Sequence, residues 1–221
     1  MKIIILIYLL LSLFFCTPIS YAENEVLIDM ESEEAIKLRT GEGDPVVGEA
    51  KAQLCVGCHG DKGNSTEPFI PKLAGQFSQY IAKELRNYQA GIRTHQIMNA
   101  MSATVSDEDL ADITAYFAHQ KKMAGNHSNY NQLGKQLFIK GDASRAVIGC
   151  INCHGSNGKG RLPVTSMFPV IGGQHKEYLR NQIMSFRNQE RTNSASGVMN
   201  NITKLLSDEE IDALADYISV Q

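Results

Sequence analysis

The run Cys55-Val-Gly-Cys58-His59 occurs a second time, 95 positions on, as Cys150-Ile-Asn-Cys153-His154. Two thiols three positions apart, followed at once by an imidazole, form the attachment signature of c-type haem. The thiols make thioethers to the two vinyl groups of one porphyrin, and the imidazole is then held under the iron. Zinc sites and thiol redox sites also use C-x-x-C, so one copy would leave the chemistry open. Two copies, each with a matched methionine downstream, predict two covalently bound haem c groups. One attaches at Cys55 and Cys58, the other at Cys150 and Cys153, with His59 and His154 as axial ligands. A zinc or thiol redox module is the alternative, and absence of haem colour would support it.

The chain has 221 residues and five cysteines, four of them in the two motifs. No thiol is left for a structural disulfide, although a small domain with a thin core usually needs a staple. A large apolar porphyrin at the centre of each domain supplies one. The absence of Trp agrees with a core made partly of cofactor.

The duplication extends well beyond the motifs. Pro71-Lys-Leu-Ala-Gly75-Gln76 matches Pro169-Val-Ile-Gly-Gly173-Gln174 at an offset of 98, as do Tyr80 with Tyr178 and Arg93 with Arg191. Met98 matches Met199 and Ser106-Asp-Glu-Asp matches Ser207-Asp-Glu-Glu at 101. Nine extra residues around 140–148 read as a surface loop. The expected division is a signal peptide at 1–22, an acidic extension at 23–44, one domain at 45–122, a linker at 123–131 and a second domain at 132–221.

Each copy reads as helical, and nothing reads as a sheet. Ser106 and Ser207 are N-caps, with Asp109 and Glu210 placed to close capping boxes. Leu110, Ile113, Tyr116 and Phe117, and then Ile211, Leu214, Tyr217 and Ile218, mark one face of a 3.6-residue period. Middle helices are expected near 79–90 and 176–188. Gly48 and Gly134 sit in short first helices, where a later helix can cross closely.

Residues 1–22 have a basic Lys2, an apolar run from Ile3 to Phe15, and small residues at Ser20 and Ala22, the pattern of a cleaved secretory signal. An uncleaved anchor is the alternative. Bulky Phe15 before Cys16 argues against lipidation. The extension holds eight acids against Lys37 and Arg39 and reads as a solvated, partly disordered lead. Val26, Leu27, Met30, Ile36 and Leu38 allow it one weak amphipathic helix. The overall charge of −3, with no basic patch, excludes nucleic acid as a partner.

Met98 and Met199 are the candidate sixth ligands because they match in the repeat, each in a loop eight residues before a capping Ser. Met101 competes but is matched by Ile202, Met167 and Met184 have no counterpart, and the repeat equivalent of His95 is not His. A carbonyl at or next to Pro71 and Pro169 is placed to accept the other N–H of the ligating His. Arg93 and Arg191 either reach haem propionates or are exposed helix-end charges. His119, His127 and His175 read as surface residues.

Over about residues 45–221 the two CxxCH modules, the KLAGQ and IGGQH stretches, and Met98 and Met199 before SDED and SDEE resemble the dihaem cytochrome c4 family. The resemblance implies an all-α tandem of two class I cytochrome c domains, related by approximate twofold symmetry, with haems near the interface. It pairs His59 with Met98 and His154 with Met199. It further implies a periplasmic, often membrane-associated electron carrier rather than an enzyme. Its redox partners would be a quinol–cytochrome c reductase or a dehydrogenase upstream and a terminal oxidase downstream. Two alternatives stay beside it: a tightly held cytochrome subunit of a dehydrogenase complex, and a dihaem peroxidase, which needs an open iron.

Overall fold

The computed structural model describes residues 32–161 and 168–221. The expected signal segment, Cys16, residues 23–31 of the extension and Met167 lie outside the described residues.

In chain order the helices are α1 (Glu33–Thr40), α2 (Pro45–Lys51), α3 (Gln53–His59), α4 (Ser78–Gln89), α5 (Gln96–Ser102), α6 (Asp107–His119) and α7 (Gln132–Lys140). A two-stranded antiparallel hairpin, β1 (Gly141–Asp142) and β2 (Val147–Ile148), precedes α8 (Ile151–His154), α9 (Lys176–Arg187), α10 (Val198–Thr203) and α11 (Asp208–Ser219). From α2 onward the second half repeats the first.

Each half is built on one helix crossing. Asp44 caps α2, accepting from the N–H groups of Val46 and Val47, and Pro45 fixes the first turn. Gly48 then lets α2 lie on α6: a Cβ at that position would stand 2.0 Å from the Asp112 carbonyl oxygen. Gly134 does the same for α7 on α11, where a Cβ would stand 1.9 Å from the Ala213 carbonyl oxygen. The apolar stripes of α6 and α11 close both cores, with Phe117 and Ile211 almost wholly buried.

Several expectations needed correction. Residues 33–40 are not a solvated lead: α1 docks on α6. Arg39 is fully buried, and its Nε and Nη2 donate to the carbonyls of Ala118 (2.7 Å) and Gln120 (2.9 Å). Those carbonyls are at the negative end of α6, which favours a cation. The extra residues around 140–148 form the β1–β2 hairpin rather than a plain loop, because Asp142 binds Ser144 and Arg145 and folds the tip back. Only Ser207–Glu210 closes a capping box; Ser106 caps α6, but the shorter Asp109 does not reach back to the Ser106 N–H. Within the linker stretch, Met123 is buried with Phe77 and Val170 between the halves.

The halves are joined by a reciprocal exchange. The Gln76 side chain accepts from the Val170 N–H (2.9 Å) and donates to the Val170 carbonyl (2.8 Å). Gln174 accepts from the Lys72 N–H (2.9 Å) and donates to the Lys72 carbonyl (3.0 Å). Gln76 and Gln174 are repeat equivalents, as are Lys72 and Val170.

Candidate functional site

His59 ends α3 and His154 ends α8, so each C-x-x-C-H run is carried on one helical stretch with its imidazole at the terminus. Both rings are buried. The Nδ1 of His59 lies 2.8 Å from the Pro71 carbonyl, and the Nδ1 of His154 lies 2.9 Å from that of Pro169. A carbonyl only accepts, so Nδ1 carries the proton and the lone pair is on Nε2. Burial pushes both imidazoles below their ordinary pKa, the carbonyl opposing it, so the neutral form needed for ligation dominates.

The accepting loops are themselves fixed. The Gly63 carbonyl takes the N–H groups of Leu73 and Ala74, and the Gly158 carbonyl takes those of Ile171 and Gly172. Gly75 and Gly173 then donate to Phe117 on α6 and Ile218 on α11. Proline thus stands where the chain turns under the imidazole, and its own carbonyl is the acceptor.

All four motif cysteines, both imidazoles, Met98 and Met199 line a cavity of about 740 Å³ that runs through both halves. Its walls are mainly apolar, and neither His Nε2 has a hydrogen-bond partner among the described residues. A buried imidazole with one nitrogen tied and the other facing apolar space fits a haem iron. Burial raises the Cys55 thiol and pushes Cys150 up to about 12, opposite to the lowered values of redox-active C-x-x-C thiols. Among the described residues no cluster of His, Cys, Asp and Glu is arranged for a bare metal ion.

The methionines are not in loops. Met98 lies in α5 and Met199 in α10, each entered after a sharp turn. The side chain of Asn99 donates to the carbonyls of Tyr88 (2.6 Å) and Arg93 (3.1 Å), and that of Asn200 to those of Phe186 (2.7 Å) and Arg191 (2.8 Å). These matched bonds pin each methionine helix to the end of α4 or α9. Asn99 and Asn200 carried no role in the sequence reading, although their shared offset of 101 was there to be seen. Met101 also lines the cavity, whereas Met184 packs in the second core.

Arg93 and Arg191 are not exposed; both are about nine-tenths buried. They stack on Tyr88 and Phe186 respectively. Arg93 reaches across to the Tyr178 hydroxyl, and Arg191 to that of Tyr80, each at 3.1 Å. His175 is half-buried rather than on the surface, its Nε2 donating to the Ser65 carbonyl of the other half (2.9 Å). His119 and His127 are exposed.

The family model for cytochrome c matches residues 48–121 and again 132–220. Cytochrome c4 of Pseudomonas aeruginosa is 40% identical over 178 residues, 80% of this chain and 88% of that one. The chain belongs to the dihaem cytochrome c4 family. A crystal structure of reduced cytochrome c4 from Pseudomonas stutzeri superposes with a TM-score of 0.75 at 36% identity, covering 81% of this chain and 99% of that one. A thiosulfate dehydrogenase electron acceptor of Stutzerimonas stutzeri is 31% identical over 173 residues, 76% of this chain and 79% of its own. As a member of that family the chain has two tandem cytochrome c domains, holds two covalently bound haem c groups and carries electrons.

Proposed function

We propose that this member of the cytochrome c4 family is a periplasmic one-electron carrier with two closed, six-coordinate haems. Cys55 and Cys58 hold one through thioethers, with His59 and Met98 as axial ligands. Cys150 and Cys153 hold the other, with His154 and Met199. The single observation that carries this reading is the repeat-matched set in each half: an imidazole fixed through Nδ1 to a proline carbonyl, and a methionine helix fixed by an asparagine on the same cavity. When bound, each haem supplies the one-electron couple.

The residues of the chain do the rest. Pro71 and Pro169 hold the imidazole planes and keep their Nε2 lone pairs available. The apolar walls exclude water. The methionine thioethers favour ferrous iron and raise the potential. Arg93 and Arg191 present buried positive charge to the cavity and suit the haem propionates. The repeat-matched methionines, one for each haem, favour a carrier over a peroxidase, which needs an open iron. Residues 1–22 serve export, and among the described residues no helix is long and apolar enough to cross a membrane.

A quinol–cytochrome c reductase or a dehydrogenase would load the protein, and a terminal oxidase would unload it. The dehydrogenase reading draws support from the relative named as a thiosulfate dehydrogenase electron acceptor. Oxidised and reduced absorption spectra test the ligation. Two haems per chain, with a low-spin ferric spectrum and the weak long-wavelength band of thioether ligation, are expected. A high-spin component that reacts with hydrogen peroxide would overturn the closed sites. Stable copurification with a dehydrogenase would replace the free carrier by a bound subunit.

A further inference from the structure

Glu84 on α4 and Gln182 on α9 are repeat equivalents, and they are chemically different. Both line the cavity, and both serve the same two arginines from opposite halves. Glu84 Oε2 accepts from Arg93 Nη1 (2.8 Å) and Asn193 Nδ2 (2.8 Å) and pairs with Arg191 Nη2 (3.2 Å). Its Oε1 accepts from Lys83 Nζ (2.7 Å). Gln182 Oε1 accepts from Arg93 Nη2 (2.8 Å) and Arg191 Nη1 (2.7 Å). Had both copies kept the acid, two carboxylates would balance two guanidiniums. With one acid and one amide, a single buried carboxylate is shared by Arg93, Arg191 and Lys83, and positive charge is left over in the wall common to both haem sites.

Adding an electron to a haem adds negative charge. A nearby anion opposes that gain and a nearby cation favours it, more strongly where water is excluded. We propose that Glu84 is a positioning residue that sets the potentials of both haems together, by fixing how much of the Arg93 and Arg191 charge the two irons feel. Carried on α4 but paired with arginines of both halves, the carboxylate acts on the pair of haems. This rests on the proposed placement of both haems along the shared cavity.

The test uses spectroelectrochemical titration of the full holoprotein and three variants. Glu84→Gln keeps the acceptor geometry and removes the charge. It should raise both midpoint potentials, with electron-exchange equilibria moving about tenfold, or about 59 mV. Gln182→Glu adds the missing acid and should lower both. The double exchange Glu84→Gln/Gln182→Glu should return both close to the parent values. A shift confined to one haem, no shift, or shifts of the same sign in both single variants would overturn the proposal, the last being the mark of a loosened interface. The parent's ferric spectrum tests the ligand reading separately: its failure would appear before any variant is made. If one variant does not assemble, the opposite single variant and the exchange still decide.

Discussion

The side-chain amide of Gln76 closes on both backbone groups of Val170, taking its N–H and giving to its carbonyl across the boundary between the two halves. Both residues are almost fully buried. Gln76→Ala would leave a donor and an acceptor of Val170 without partners. A loss of about 1–3 kcal/mol of unfolding free energy is expected, measured by denaturant titration of the holoprotein. A loss below a few tenths would show that water replaces the amide there.

Gly134 sits where α7 crosses the backbone of α11. Gly134→Ala forces a Cβ to within 1.9 Å of the Ala213 carbonyl oxygen unless α7 moves off α11. Overpacking of this kind costs about 1–3 kcal/mol, and here the clash is with backbone rather than a movable side chain. Thermal melts should place this variant well below the parent, whereas Gly57→Ala, with open space at its Cβ, should melt like it.

Met98 and Met101 share a helix and a cavity, which makes them a direct comparison. Met98→Ala should abolish the thioether band of one haem and open that iron to carbon monoxide in the ferrous state. Met101→Ala should leave the spectrum as it is. The reverse outcome would reassign the ligand.

Asn200→Ala should act through Met199 without touching it. Loss of the bonds to the Phe186 and Arg191 carbonyls frees α10 at its base, at a cost of about 1–3 kcal/mol. Carbon monoxide should then bind the second haem faster than in the parent, and flash photolysis reads that rate. An unchanged rate with lowered stability would make Asn200 a brace for the fold only.

Glu84 ties stability to pH. Arg191 and Arg93, with Lys83, outweigh the opposing effect of burial and hold its carboxyl at about 2, against an ordinary 4.5. A carboxyl lowered on folding stabilises fully above its unfolded value, and that contribution drains as pH falls from about 4.5 towards 2. The contribution is on the order of 3 kcal/mol. Melting temperature should fall across that window in the parent, and less steeply in Glu84→Gln.

Legibility in the sequence followed the range of the interactions. The haem motifs, the caps at Ser106 and Ser207, the apolar stripes of α6 and α11 and the crossings at Gly48 and Gly134 are local patterns or depend on one residue's size, and they were readable. Repeat matching placed Pro71 and Pro169 beside the imidazoles. Arg39 was misread because its partners, the carbonyls of Ala118 and Gln120, are remote in sequence and backbone atoms carry no residue identity. Arg93 and Arg191 were ambiguous for the same reason: a buried cation and an exposed one look alike until Glu84, Gln182 and the two tyrosines come together. The helices holding Met98 and Met199 are too short to show a period.

Asp109 and Glu210 began as the same position in two copies of one module, and they differ by a single methylene. The longer Glu210 bends back to its own helix start and also meets Arg145 of the inserted hairpin. The shorter Asp109 takes the Ser106 hydroxyl and turns its other oxygen to Lys51 on α2. One carbon therefore decides whether the carboxylate reaches the backbone N–H at its own helix start or stops at the capping hydroxyl. Copies of a duplicated module can drift apart by redirecting existing groups to new partners while the scaffold that grips the cofactor stays where it was.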